Sequence, residues 1–201
     1  MAIRLHVGCG TVYLDGYVNL DVPVEGYSFL ASERPDLVAA NRTTVERYYK
    51  NEESRESLEH GPGRPQACVV DAYARMDELP YEPNSVDEIR SVQCLEHVSM
   101  KDGPRILRHW CDVLRPGGVV HVDVPDFEET ARQLLAQPDE ASKDWYYRLV
   151  YGSQKNAYAY HKNGFSPARL ERLLREAGFR EVRHLPNRIH FYPVTIAEGI
   201  K

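Results

Sequence analysis

Two glycines and an aspartate near the start of the chain have the types and spacing of a nucleoside-binding site. Gly8 and Gly10 follow an apolar segment directly, and Asp21 ends a second short apolar segment. Glycine leaves no Cβ between the backbone and a bound ligand, and an acid at the end of the second strand binds ribose hydroxyls in nucleotide-binding folds. The pattern predicts a nucleoside-containing cofactor at the carboxyl edge of a parallel sheet. The alternative is a tight turn with a solvated aspartate.

The spacing favours a cofactor that carries no phosphate groups. A dinucleotide fingerprint would have a third glycine at the position of Tyr13, and its acid would lie about 20 residues beyond the glycines. Asp21 follows Gly10 much sooner than that. S-adenosylmethionine fits better, because its methionine end needs backbone donors near the glycines and its ribose needs the acid.

Length and composition indicate one domain, residues 1–201, without a nucleic-acid or membrane surface. The chain is long enough for a single α/β domain with a sizeable core. A net charge of −5 and the lack of a Lys/Arg cluster argue against nucleic acid as a partner. No apolar run approaches the ~20 residues of a membrane span, and residues 1–4 open a strand rather than a signal peptide. We therefore expect a cytoplasmic protein that does not bind membranes.

The four cysteines favour free thiols over disulfides or a zinc site. They show no C-x-x-C spacing, and three of them lie in apolar strand or helix patterns. We therefore expect buried thiols in a reducing compartment. The cysteines are Cys9, Cys68, Cys94 and Cys111.

Apolar stretches alternate with amphipathic ones, which is typical of a sheet with crossover helices. A helix is predicted over 101–114 and another from the N-cap Ser166 to Gly178, with a turn at 115–118 between the first helix and the next strand. The predicted strands are residues 3–7, 18–20, 67–70, 88–92, 119–124, 181–185 and 190–198.

One segment, residues 22–66, is much longer than an ordinary α/β connection. It is polar and rich in tyrosine. Insertions of this length are usually functional or disordered, so we favour a lid over the cofactor cleft. The alternative is a surface excursion or a dimer contact.

Four motifs in a fixed order resemble those of class I S-adenosylmethionine-dependent methyltransferases. The resemblance covers nearly the whole chain and includes the helical segment 166–182. The motifs are LHVGCG at 5–10, VVDA at 69–72, PNSVDEIRSVQCLEHV at 83–98 and LRPGGVVHVDVPD at 114–126.

The resemblance implies an α/β fold with a Rossmann-like sheet of seven strands, mostly parallel with an antiparallel last strand and helices on both faces. It also implies the contacts of the cofactor. Gly8, Cys9 and Gly10 would line the methionine part, and Asp21 would bind the ribose hydroxyls. Asp71 would accept from the adenine amine with Ala72 beside the ring, and Gln93 would lie close to the sulfonium. The chain departs from the family in having almost no helix after Gly10, so Tyr13 or the insertion would have to help hold the methionine carboxylate.

A hydroxyl acceptor would need a base within about 3 Å of its oxygen, and histidine suits this role. His97 leaves the fourth strand on the cleft side, and His161 precedes the last helix, where enzymes of this family often build the acceptor pocket. The alternative for His97 is that it braces the loop, because the Leu-Glu-His sequence is widespread in the family. His6 lies within the first strand and is expected to be structural.

Asp126 ends the fifth strand, close to Asp123 and to the pair Glu128 and Glu129. Acids at strand ends bind acceptor hydroxyls or a hard divalent ion, and some sugar O-methyltransferases of the superfamily use Mg²⁺ in this way. The alternative is that Asp123 packs within the sheet and that the two glutamates begin a helix. The sequence leaves both the metal and its ligands open.

Aromatic residues with polar neighbours, Tyr158 and Tyr160 among them, are suited to stacking on sugar rings, although tyrosine is equally common in cores and interfaces. The chain also resembles small sugar O-methyltransferases of polysaccharide biosynthesis, of the methylmannose-polysaccharide type. This resemblance implies a small sugar or glycoside as the acceptor. The alternatives are another small metabolite, a macromolecule, or a non-catalytic scaffold that binds S-adenosylmethionine. A homodimer is the default expectation for such an enzyme.

Overall fold

The structure, a computed structural model, describes residues 2–48, 67–188 and 190–201. The strands are β1 (Arg4–Val7), β2 (Tyr13–Leu14), β3 (Val18–Asp21), β4 (Ser28–Leu30), β5 (Arg42–Thr43), β6 (Cys68–Val70), β7 (Ala72–Tyr73), β8 (Val86–Val92), β9 (Leu114–Pro125), β10 (Glu181–Leu185) and β11 (Val194–Ile200). The α-helices are α1 (Pro35–Asn41), α2 (Asp102–Val113), α3 (Phe127–Leu135), α4 (Glu140–Tyr151) and α5 (Pro167–Ala177), with short 3₁₀ turns at Val45–Arg47 and Leu95–His97.

Seven strands form one mixed sheet in the order β10-β11-β9-β8-β1-β3-β7. The strands from β7 to β9 run parallel, and β11 is antiparallel to both of its neighbours. This confirms the predicted sheet with its antiparallel last strand. Leu5 in the central strand pairs with Val18 on one side and Ile89 on the other. The carboxyl ends of β1, β3 and β8 therefore meet at one edge.

The main core lies between the sheet and helices α2 and α5. Both helices carry their apolar residues at helical spacing, so each buries one stripe against the strands. Trp110 is fully buried, and its indole N–H donates to the Met76 carbonyl at 2.8 Å. Asp126 and Ser166 precede α3 and α5, and the Asp126 carboxylate accepts from the Glu129 N–H as an N-cap.

The opposite face at β1 is covered by short segments instead of a helix. His6 alternates with Leu5 and Val7 and points to this face, where its Nδ1–H donates to Asn19 Oδ1 at 2.9 Å. Its Nε2 accepts from the Tyr48 hydroxyl at 2.5 Å. Tyr48 packs there with the buried side chains of Val12, Leu14 and Val92. A chain segment from the long insertion thus replaces the helix that the residues after Gly10 do not form.

The strand predicted at 67–70 differs from the observed one. Residues of β6 pair with β4 in a small separate sheet, and β7, beyond Asp71, joins the main sheet beside β3. The chain bends at Asp71, whose carboxylate accepts from the Asn19 N–H at 2.7 Å while its own N–H donates to the Asn19 carbonyl. Asp71 therefore lies at the bend between β6 and β7, and it precedes the residues that join the main sheet.

Two other predicted boundaries are also wrong. The turn expected at 115–118 is a bulge inside β9, because Leu114 already pairs with Val86 before the ladder resumes at Val119 and Glu88. The last strand begins at Val194 instead of residue 190.

All four cysteines are free and buried, as predicted. Of the insertion at 22–66, residues 22–48 contain β4, α1 and β5, and residues 49–66 lie outside the described part. The helices in the described part are all too short or too polar to cross a membrane.

Candidate functional site

A cleft of about 570 Å³ opens at the carboxyl ends of β1 and β8. It is continuous with a smaller cavity of about 270 Å³ that Asp21 and His97 border, since both share Gly8, Gly10 and Gln93 as lining residues. The predicted cofactor residues after β1, β3 and β8 thus surround one space. The sheet topology explains this, because parallel strands end at the same edge.

Gly8 is a position that only glycine can fill. Its φ is +70°, and a Cβ built there would lie 1.9 Å from the Cys94 Sγ. Its N–H and that of Cys9 both donate to the Leu20 carbonyl, which ties the loop to β3. Gly10 also has a positive φ, +54°, yet a Cβ on it would meet no atom of the described residues within 4 Å. That open side of Gly10 faces the cleft, as a ligand lying against the backbone requires.

Asp21 is held in place by the loop that it faces. Its Oδ2 accepts from the Gly10 N–H at 2.8 Å, and its Oδ1 accepts from the Val22 N–H at 2.7 Å. Burial raises the pKa of this carboxyl, and the two backbone donors oppose the rise. Each carboxylate oxygen keeps lone-pair capacity for a further donor, so Asp21 can accept from hydroxyl groups in the smaller cavity.

Gln93 follows β8 directly and has a left-handed conformation, with φ at 51°. Its Nε2 donates to Asp123 Oδ1 at 2.7 Å, and the other oxygen of Asp123 pairs with His190 Nε2 at 2.8 Å. Asp123 is fully buried between them, in agreement with the expectation that it packs within the sheet. A strained residue held by a buried network is common at functional sites, and Gln93 borders both cavities.

The residues expected near the adenine, Asp71 and Ala72, do not border the two cavities. Tyr13, which was expected to help hold the methionine carboxylate, does not border them either, and its hydroxyl donates to Asp71 Oδ1 at 2.7 Å. Met76 borders the smaller cavity instead. The sequence reasoning missed Met76 because it ended the strand at Asp71, before β7.

The outer wall of the cleft includes part of the insertion, which the sequence predicted to cover it, and a loop after α4 that the sequence reasoning missed. Residues Val24 and Tyr27 from the insertion and Asn156 from the loop after α4 line both cavities. Gly152 begins this loop with φ at +82°, and a Cβ there would lie 2.3 Å from the Ala159 carbonyl oxygen. The conformational need for glycine at 152 was the available signal that this loop folds back tightly.

His97 and His161, the two predicted bases, lie together beside Glu96. Their ring centroids are 4.8 Å apart. The Nε2 atoms of His97 and His161 lie 3.8 Å and 3.9 Å from Glu96 Oε1. The main chain joins the two segments, because the Glu96 carbonyl accepts from the N–H groups of Lys162 and Asn163.

Burial keeps these side chains uncharged near neutral pH. It lowers the pKa of His161 to about 4, with the neighbouring His97 as the second cause, and it lowers the pKa of His97 as well. It raises the pKa of Glu96 to about 8. Both imidazoles are therefore unprotonated at neutral pH, with a lone pair free on one ring nitrogen.

The three predicted acceptor-binding residues have different positions. Tyr158 borders the smaller cavity, whereas the Tyr160 side chain is exposed away from the described cavities and its carbonyl contacts His97. Asp126 caps α3 and bridges to Phe165. The described metal-ligating groups form two clusters of three, and Asp126 belongs to neither. Mg²⁺ at Asp126 therefore stays a prediction.

Comparison with solved structures places the sheet among methyltransferase folds. The apo S-adenosylmethionine-dependent methyltransferase SibL is 18% identical, with a TM-score of 0.52 over 100% of this chain and 50% of that one. The CMeT domain of the citrinin polyketide synthase is 13% identical, with a TM-score of 0.51 over 99% and 46%. The chain spans about half the length of these two proteins.

A protein from Thermotoga maritima, described as a methyltransferase and possible histamine N-methyltransferase, is 17% identical with a TM-score of 0.49, over 100% of this chain and 83% of that one. No curated protein matches the sequence significantly. A family described as a methyltransferase domain matches residues 7–184, nearly the whole chain. That match shows that the chain belongs to this methyltransferase family, and the solved methyltransferases share its fold.

Proposed function

We propose that the protein transfers the methyl group of S-adenosylmethionine to a hydroxyl of a small sugar or glycoside. The observation that carries the choice of a hydroxyl is the pair of contacting histidines, of which His97 borders the smaller cavity and His161 packs behind it, with ring centroids 4.8 Å apart. A hydroxyl must lose a proton during methylation, and a neutral imidazole accepts one. An exposed tyrosine, Tyr158, borders the same cavity and supports a sugar ring as the partner.

The cofactor would lie along the glycine loop. The open side of Gly10 leaves room for the methionine end, and the Asp21 carboxylate accepts from the ribose hydroxyls. Gln93 lies nearest to the sulfonium in this arrangement. Met76, which follows β7, borders the cavity where the adenine would lie. The contact of the adenine amine with Asp71 stays a prediction.

The reaction is an in-line displacement in which alignment supplies most of the acceleration. The acceptor oxygen forms a bond to the methyl carbon, the bond from that carbon to sulfur breaks, and S-adenosylhomocysteine leaves. The hydroxyl proton passes to the Nε2 of His161, with His97 as the alternative acceptor. His161 is fixed for this role, because its Nδ1–H donates to the Leu149 carbonyl at 2.9 Å and leaves the Nε2 lone pair free.

A screen with tritium-labelled S-adenosylmethionine against mono- and oligosaccharides tests the proposal. We expect label in at least one sugar, with S-adenosylhomocysteine formed in equal amount. The variant His161→Ala should lower kcat about 10²–10⁴-fold while the Kd for S-adenosylmethionine, measured by calorimetry, stays within about twofold.

The exposed His184 provides a matched control, and His184→Ala should keep full activity. Label in an amine or a protein, with none in any sugar, would refute the sugar acceptor. Tight cofactor binding without transfer to any acceptor would instead favour the scaffold interpretation.

A further inference from the structure

Among the residues that the structure describes, Glu96, His97 and His161 form a cluster of three metal-ligating groups. One ligand atom from each side chain lies within 4.8 Å of the other two. The distances from Glu96 Oε1 to the two histidine Nε2 atoms are 3.8 Å and 3.9 Å. On a tetrahedral ion with bonds of about 2.1 Å, ligand atoms lie about 3.4 Å apart, so the two distances from Glu96 exceed that separation by about half an ångström.

Both imidazoles are oriented by their second nitrogen. The Nδ1–H of His97 donates to the Tyr160 carbonyl at 3.1 Å, and that of His161 donates to the Leu149 carbonyl at 2.9 Å. The proton on Nδ1 leaves a lone pair on each Nε2, on the side of the Glu96 carboxyl. Metal-ligating histidines have this arrangement, in which a backbone carbonyl fixes the tautomer and the ring orientation.

Glu96 is the unexplained member of the cluster. Its side chain is 2% exposed, and neither of its carboxylate oxygens has a hydrogen-bond partner in the described structure. Both facing Nε2 atoms lie 3.8–3.9 Å from Oε1, beyond hydrogen-bond distance, so neither is a partner of the carboxyl. A buried carboxyl without a partner is costly, and a cation among the three side chains would remove the cost.

We propose that Glu96, His97 and His161 bind a divalent transition-metal ion through the two Nε2 atoms and one carboxylate oxygen. Two imidazoles and a carboxylate suit ions such as Zn²⁺, whereas Mg²⁺ prefers oxygen ligands. Three protein ligands leave at least one coordination position open. His97 borders the cavity that Asp21 and Tyr158 also border, so the ion would lie next to the space assigned to the acceptor.

The consequence for catalysis rests on the proposed function, although metal binding itself does not. With the ion in place, both Nε2 atoms are ligands and no longer bases. An acceptor hydroxyl on the open position would lose its proton to solvent, because the cation lowers the pKa of a bound oxygen. The bond changes at the methyl carbon and the sulfur would be those given above.

Metal binding can be measured on the full chain without S-adenosylmethionine or a sugar. We expect one Zn²⁺ per chain by calorimetry, and Co²⁺ should give visible absorption bands of nitrogen and oxygen ligation. His97→Ala, His161→Ala and Glu96→Gln should each weaken binding at least tenfold, with His184→Ala as a matched control that binds normally. Circular dichroism of each variant checks the fold.

The second cluster, Cys9, Asp21 and Cys68, offers a discriminating control. Cys68→Ser should leave binding unchanged, and the Co²⁺ complex should lack the charge-transfer band of a thiolate ligand. A thiolate band, loss of binding in Cys68→Ser, or no Zn²⁺ and Co²⁺ binding by the wild type would overturn the proposal. Sugar methylation that chelators do not affect, by a protein that binds no metal, would overturn the metal site alone and leave the proposed function intact.

Discussion

At the scale of single residues, Gly8 and Gly10 show two different reasons for a glycine. Both have a positive φ, but a Cβ at position 8 would collide with Cys94 and one at position 10 would point into open space. The motif LHVGCG alone could not separate these reasons, since the obstacle at Gly8 comes from a strand end far along the chain. Gly8 therefore serves packing, and Gly10 serves the approach of a ligand.

The variants Gly8→Ala and Gly10→Ala should therefore differ. Gly10→Ala adds only the strain of a left-handed alanine, about 1–2 kcal/mol, but its methyl group occupies the cleft and should raise the Kd for S-adenosylmethionine about tenfold or more. Gly8→Ala adds overpacking against Cys94, a further cost of about 1–3 kcal/mol. Urea unfolding and calorimetry measure the two effects, and equal stability losses in both variants would contradict the assignment.

At the scale of elements, alternating apolar and amphipathic segments were sufficient to predict most strands and both core helices. Helix α2 and helix α5 lie within one residue of their predicted bounds. The strand predicted at 67–70 was wrong because the Asp71 carboxylate takes the place of a backbone acceptor for β3. The periodicity of apolar residues cannot show such a side-chain contact. Because β7 was not predicted, Met76, which follows it, was not included in the predicted site.

The position of Asp71 leads to a prediction about β3 and β7. Asp71→Ala removes the acceptor of the buried Asn19 N–H, and an unpaired buried donor costs about 1–3 kcal/mol. Tyr13→Phe is the matched control, since it removes only the hydroxyl that donates to the same carboxylate and should cost about 1 kcal/mol or less. Urea unfolding measures both. If Asp71→Ala instead keeps full stability and loses S-adenosylmethionine affinity, the adenine contact is its main role.

At the scale of the whole molecule, the seven-stranded sheet was predictable from the ordered motifs, whereas the cover of its second face was not. That cover depends on His6 reaching Tyr48, two residues far apart in the chain that no local pattern connects. The cluster of Glu96, His97 and His161 was predictable in part. Both histidines were identified, but their approach to Glu96 depends on how the loop after α4 folds back.

The buried His6 should make the stability of the whole fold depend on pH. Burial lowers the pKa of His6 to about 4 from the 6.5 of an unfolded chain, so between these values the unfolded state binds a proton that the folded state excludes. The contribution of His6 to stability is therefore complete well above pH 6.5 and is lost as the pH drops towards 4, by about 3 kcal/mol. Urea unfolding across this range should show His6→Gln losing that part of the pH dependence, while the exposed control His184→Gln keeps it. Parallel stability curves for the wild type and His6→Gln would mean that Tyr48 and Asn19 accommodate the protonated ring.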